Sequence, residues 1–136
     1  MRQAIGEANY IDSAVKDYVY SQPCLEVWMT VRSMLFEDEY NILNSDGDLT
    51  VLETDWQKIG TRWERLLFHG FPNPEGGCQV EALRAWTLEL DGSKPLVQRA
   101  WKLEWRLVRA LDPEAARQIQ KHAYTAGQNA RHKRAN

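Results

Sequence analysis

Cysteine is scarce: Cys24 and Cys78 are the only two in 136 residues. They stand in no C-x-x-C pair and no histidines lie at zinc spacing, which excludes a zinc module and a disulfide-dense scaffold. They read as two free thiols packed as small apolar residues in a reducing compartment, with a disulfide between them as the alternative. Long apolar runs are missing too. No window approaches the run of about 18 apolar residues that a membrane span needs. The segment Met1 to Asp12 carries Arg2, Glu7 and Asp12 without an apolar core, so it does not read as a signal peptide. A soluble, cytoplasmic protein is expected.

The residues that carry catalysis are equally thin. His69, His122 and His132 are the only histidines, and none has a nucleophile or metal-ligand pattern around it. Cys78 follows Gly76-Gly77, but no catalytic signature accompanies it. There is no P-loop and no dinucleotide fingerprint. The stretch Asn44 to Asp55 imitates a calcium loop, with Asn44, Asp46, Asp48, Thr50 and Asp55 at its ligand positions. Leu49 stands where that loop needs glycine, and Asp55 is too short to replace a bidentate Glu, so the segment reads as a capped turn. No enzyme activity, cofactor or metal is expected.

What remains is ordinary globular material, 43% hydrophobic and 26% charged, with six Trp. The charge is polarised. Residues 1–68 hold 6 Lys/Arg against 12 Asp/Glu, and residues 69–136 hold 11 against 7, within a net charge of -2. Such a chain pairs its halves internally or shows partners two faces of opposite sign.

Periodicity points to a mainly α fold, a compact domain of about five helices over residues 1–127 with a basic flexible tail at 128–136. An amphipathic stretch covers Asp12 to Ser21 with Val15, Tyr18 and Val19 on one side. Cys24 to Phe36 follows Pro23 and puts Leu25, Trp28, Val31 and Leu35 on one face. Leu49, Leu52, Trp56, Ile59, Trp63, Leu66 and Gly70 step by 3 and 4 residues, the seam of a core helix. A loop is expected over residues 69–77. Val80 to Leu90 is ambiguous and leans helical, with one short hairpin allowed near residues 86–94. Pro95 opens a helix over Leu96 to Leu111, and Asp112-Pro113 cap and start the last one.

The helix over residues 96–111 carries most of the functional information. Arg99, Lys102, Arg106 and Arg109 would form a basic face, beside a stripe containing Trp101 and Trp105, with Glu104 between the two apolar stripes. Opposite in sign are Glu37, Asp38, Glu39, Asp46 and Asp48, an acidic surface suited to a basic groove. The expected function is a non-enzymatic protein-binding regulator or inhibitor that occupies a charged surface of a larger machine, of the kind phages and mobile elements encode. A nucleic-acid-binding accessory protein is the alternative, using the basic helix, Arg117, Lys121 and Arg131 to Arg134 to hold phosphates. A structural subunit whose wide apolar helix is covered by further copies is the third reading.

Overall fold

The computed structural model describes residues 2–45, 51–92 and 94–135. Its elements are α1 (Arg2–Lys16), β1 (Val19–Tyr20), α2 (Cys24–Glu37), β2 (Ile42–Ser45), β3 (Val51–Thr54), β4 (Gln57–Ile59), β5 (Arg62–Pro72), β6 (Cys78–Thr87), β7 (Leu96–Arg99), α3 (Trp101–Leu111) and α4 (Pro113–Ala135). The mainly helical, all-alpha fold with about five helices is therefore incorrect. Among the described residues there are four helices, and the middle of the chain is a seven-stranded antiparallel sheet, an α+β fold. The chain divides into two compact units: Met1–Tyr18 with Trp101–Asn136, and Val19–Ala100. In sequence, the sheet unit is inserted between α1 and α3.

The sheet runs in the order β1-β6-β5-β3-β2, with β4 paired to β5 and β7 paired to β6. Its spine is the β5–β6 hairpin, in register from Trp63 opposite Thr87 to Pro72 opposite Cys78. Along β5, Glu64, Leu66, Phe68 and Gly70 are buried, and along β6, Cys78, Val80 and Ala82 are buried. This is the two-residue alternation of strands with one covered face. The helix expected from Leu49 to Gly70 thus does not exist. A step of 3 switches between the two faces of a strand whereas a step of 4 does not, so the seam is split: Trp56, Ile59 and Trp63 lie outside the buried set while Leu52 and Leu66 lie inside it. The break is Gly60-Thr61, a two-residue hairpin turn between paired Ile59 and Arg62, with Gly60 at φ +65. The helix favoured over residues 80–90 is likewise strand β6. Strands β6 and β7 pair antiparallel, so the hairpin allowed near residues 86–94 belongs to this large sheet rather than to a helical domain.

Helix α2 lies on β5 and β6 and buries Val27, Trp28, Val31, Met34 and Leu35. Its first residue, Cys24, is bonded to the first residue of β6, Cys78. The free-thiol reading is corrected: the two cysteines, 54 positions apart, close the chain between them into one loop that staples helix to sheet. Thr54, fully buried at the end of β3, accepts the Leu66 N–H through Oγ1 at 2.9 Å and extends the β3–β5 pairing by one bond.

In the helical unit, α1 begins at Arg2 rather than Asp12 and crosses α4 closely. A β-carbon on Gly127 would lie 2.7 Å from the Gln3 carbonyl oxygen and 2.8 Å from Glu7 Cγ, so glycine sets how near the two helices come. Asp112 caps α4 as its sequence suggests: the Ala115 N–H donates to Asp112 Oδ1 at 3.2 Å and Pro113 is the first helical residue. The other carboxylate oxygen accepts the Tyr18 hydroxyl at 2.5 Å. Helix α4 runs on to Ala135 and takes in residues 128–135, which were expected to form a tail. Among the described residues no helix is long and apolar enough to cross a membrane.

Candidate protein-docking surfaces

The four-cation helical face is broken at its first member. Leu96 to Arg99 form strand β7, and the Ala100 N–H still donates to the Ala82 carbonyl at 2.8 Å, so the ladder continues to the start of α3. Arg99 therefore sits in the sheet, its Nη1 3.7 Å from Glu81 Oε2. Lys102, Arg106 and Arg109 remain on α3. Within the helical unit, Lys102 and Arg109 line a hollow of about 350 Å³ between α1 and α3, together with Trp101 and Trp105. Lys102 Nζ stands 5.8 Å from the Trp101 ring centre and Arg109 Cζ 5.5 Å from that of Trp105. Each cation thus rests on the electron-rich face of its own tryptophan. Glu104 is buried, 2% exposed, and does not stand there without a partner.

The acidic residues follow a different logic. Helix α2 is apolar on nearly every side, as Leu25, Met29 and Phe36 join the five large side chains already turned to the sheet. One sheet covers one side of one helix, so the remaining apolar residues stay outside. Leu25 is 56% exposed, Met29 63% and Phe36 84%, so Leu25 does not share the buried face of Trp28, Val31 and Leu35. With Arg32, they step by 4, 3 and 4 residues along the outer face. The stripe ends in Glu37, Asp38 and Glu39, all exposed. Asp46 and Asp48 lie outside the described residues.

The chain end of α2 fixes that acidic triplet in place. The Tyr40 N–H donates to the Leu35 carbonyl at 2.9 Å and the Glu39 N–H to the Phe36 carbonyl at 3.1 Å. This is the paired pattern that closes a helix around a left-handed residue, a position glycine usually fills. Here it is Glu39, at φ 62. A β-carbon in that conformation costs about 1 kcal/mol, so a negative charge is held at the tip of α2 at the expense of backbone strain.

The face of the sheet opposite α2 carries features that periodicity did not reveal. Trp56, Arg65, Leu67, Leu83, Ala85, Pro95 and Val97 surround a hollow of about 170 Å³. Lys58 and Arg65 lie 5.9 and 5.7 Å from the ring centres of Trp63 and Trp56. On the other face, the one that holds Leu66, buried Glu64 lies between Arg62 Nη2 at 2.5 Å and Arg84 Nε at 3.4 Å, and Arg62 Cζ lies 5.1 Å from the Trp86 ring centre. Burial, and then the Glu64 charge, raise the Tyr40 phenol above its usual range. Of these residues, Trp56 and Trp63 fall in the spacing of 3 and 4 that reads as one helix seam, which hides the two-residue alternation of the strands.

The histidines fall apart in space. His69 Nδ1 faces Glu81 Oε1 at 3.7 Å, and His122 meets the Tyr10 ring edge-on at 6.2 Å. The side chain of His132 lies outside the described residues. Among the described residues, no three His, Cys, Asp or Glu side chains gather as metal ligands.

Charge segregates by unit. The sheet unit, residues 19–100, holds 13 Asp/Glu against 7 Lys/Arg, and the remainder holds 6 against 10. The exposed apolar stripe of α2 belongs to the acidic unit. Comparison of the chain with protein-family models, with curated proteins and with solved structures finds no match.

Proposed function

We propose that the protein is a non-enzymatic protein-binding regulator that acts by occupying a basic surface of a larger assembly, as small proteins of phages and mobile elements do. The observation that carries this reading is the outer face of α2, where Leu25, Met29 and Phe36 stand exposed and run into Glu37, Asp38 and Glu39. Exposed apolar side chains give a partner area to bury, and the acidic rim gives orientation and a faster encounter. The nucleic-acid reading loses support with Arg99, which belongs to the sheet and faces Glu81. The disulfide supports maturation in an oxidising compartment in place of the reducing cytoplasm that free thiols implied.

A photo-crosslinking side chain at Ser33, on the exposed side of α2, tests the docking reading in cells of the native host. Protein adducts should form there and fade when Met29 and Phe36 are changed to Ser. Adducts that persist in that variant, or none at all, would overturn it.

A further inference from the structure

We infer that the outer face of α2 receives a basic amphipathic helix of the partner, laid along it; this deepens the docking reading above and rests on it. From Leu25 to Phe36 the stripe rises through 11 residue steps, about 16 Å at 1.5 Å per residue, or three turns. A partner must place apolar anchors at matching intervals over that length, and a second helix does so with side chains three, four and seven residues apart. An extended segment gains much of its affinity from main-chain bonds to a strand edge. A helix has none to offer, because its mid-helix N–H and C=O groups bond to one another.

The rim selects the sign of the occupant. Glu26 flanks the stripe near its start and Glu37, Asp38 and Glu39 stand at its end, against Arg32 alone along its length, a balance of three negative charges. The carbonyl end of α2 adds a further partial negative charge at the same place. Lysine and arginine are attracted there, whereas the phosphates of nucleic acid and of anionic lipid are repelled. Glu39 sharpens the point. Glycine would suit its backbone better, and the strained position retains a carboxylate.

The experiment uses the full, oxidised chain and three labelled 18-residue peptides. The first is a helix with Leu on one face and Lys on the other. In the second every Lys is replaced by Glu, and in the third Leu and Lys are shuffled so that no apolar face forms. Only the first should bind, with affinity that falls as salt rises. Met29→Ser with Phe36→Ser should weaken it at least tenfold, and so should Glu37→Lys with Glu39→Lys. Leu96→Ser with Val97→Ser, an exposed pair on β7, should leave it unchanged. Retained thermal unfolding confirms that each variant is folded.

Equal binding of the Glu-substituted or shuffled peptide would overturn the inference, as would a loss confined to the Leu96/Val97 variant. Binding of the chain to anionic vesicles that Phe36→Ser abolishes would also overturn it. So would a dimer of the chain that dissociates with Phe36→Ser, since the occupant is then a second copy. The crosslinks at Ser33 separate the two levels. Adducts on a partner segment that is neither helical nor basic overturn the helix alone, and absence of adducts removes the docking surface itself.

Discussion

Gly77 has no room for a β-carbon, which would lie 2.4 Å from the Tyr20 carbonyl oxygen. That oxygen is backbone, tied into the β1–β6 pairing, and cannot swing aside. Gly77→Ala should therefore destabilise the sheet unit by about 1–3 kcal/mol, read as a lower urea midpoint. Glu39 is the opposite case. Glu39→Gly relieves a left-handed side chain and should raise stability by about 1 kcal/mol while weakening capture of a basic helix. A gain in stability without any loss of binding would leave the carboxylate without a role in docking. Tyr18 gives a pH signature. Burial first, then the hydrogen bond to Asp112 and its charge, raise the phenol well above its ordinary value of 10.0. The unfolded chain releases that proton near pH 10 whereas the folded chain keeps it. Stability is thus full below pH 10 and falls as pH rises above it. Thermal unfolding between pH 8 and 11 should show this slope, and Tyr18→Phe should flatten it.

Among the elements, α2 is held twice, by its apolar face and by the bond from Cys24 to Cys78. Closing a loop of 54 residues removes chain entropy from the unfolded state worth about 4 kcal/mol in the simplest treatment. Unfolding with and without reductant should show a loss of that order, and Cys24→Ala with Cys78→Ala should match the reduced protein. Helices with explicit punctuation were legible in the sequence: Pro23 before α2, and Asp112-Pro113 at the start of α4. The strands were not, because Leu52, Trp56, Ile59, Trp63 and Leu66 satisfy a helical rhythm over the length where β3, β4 and β5 follow one another. Gly60-Thr61 was the local signal that could have separated the two, as a turn only a hairpin needs. The same confusion placed Arg99 on a helix. Leu96 and Val97 suit an edge strand as well as a helix, and only their pairing with β6, continued by the bond from Ala100 to Ala82, decides between them.

Across the whole molecule, charge is polarised by packing unit as strongly as by sequence position. Dividing the chain at its midpoint gives balances of -6 and +4, and dividing it by unit gives the same two values, with the acidic share on the sheet unit. The acidic part of the candidate site was therefore legible from Glu37, Asp38 and Glu39, but its apolar part was not. Which side of a helix stays uncovered depends on where the sheet lies, and the sheet was missing from the sequence reading. An acidic surface of this kind acts mainly on encounter rates. Raising ionic strength from about 50 to 500 mM should slow association with a basic probe roughly tenfold and alter dissociation far less.

The insertion of the sheet unit between α1 and α3 also sets an order of events during synthesis. Helix α1 leaves the ribosome first, yet α3 and α4, which it packs against, lie beyond the whole of residues 19–100. At about 5–20 residues per second, the 82 residues in between occupy roughly 4–16 s. During that interval the sheet can pair and its disulfide can form while Ile11 and Val15 still lack the helices they need. The nascent chain thus spends seconds with one closed unit and one amphipathic helix waiting, the period in which a chaperone has most to protect.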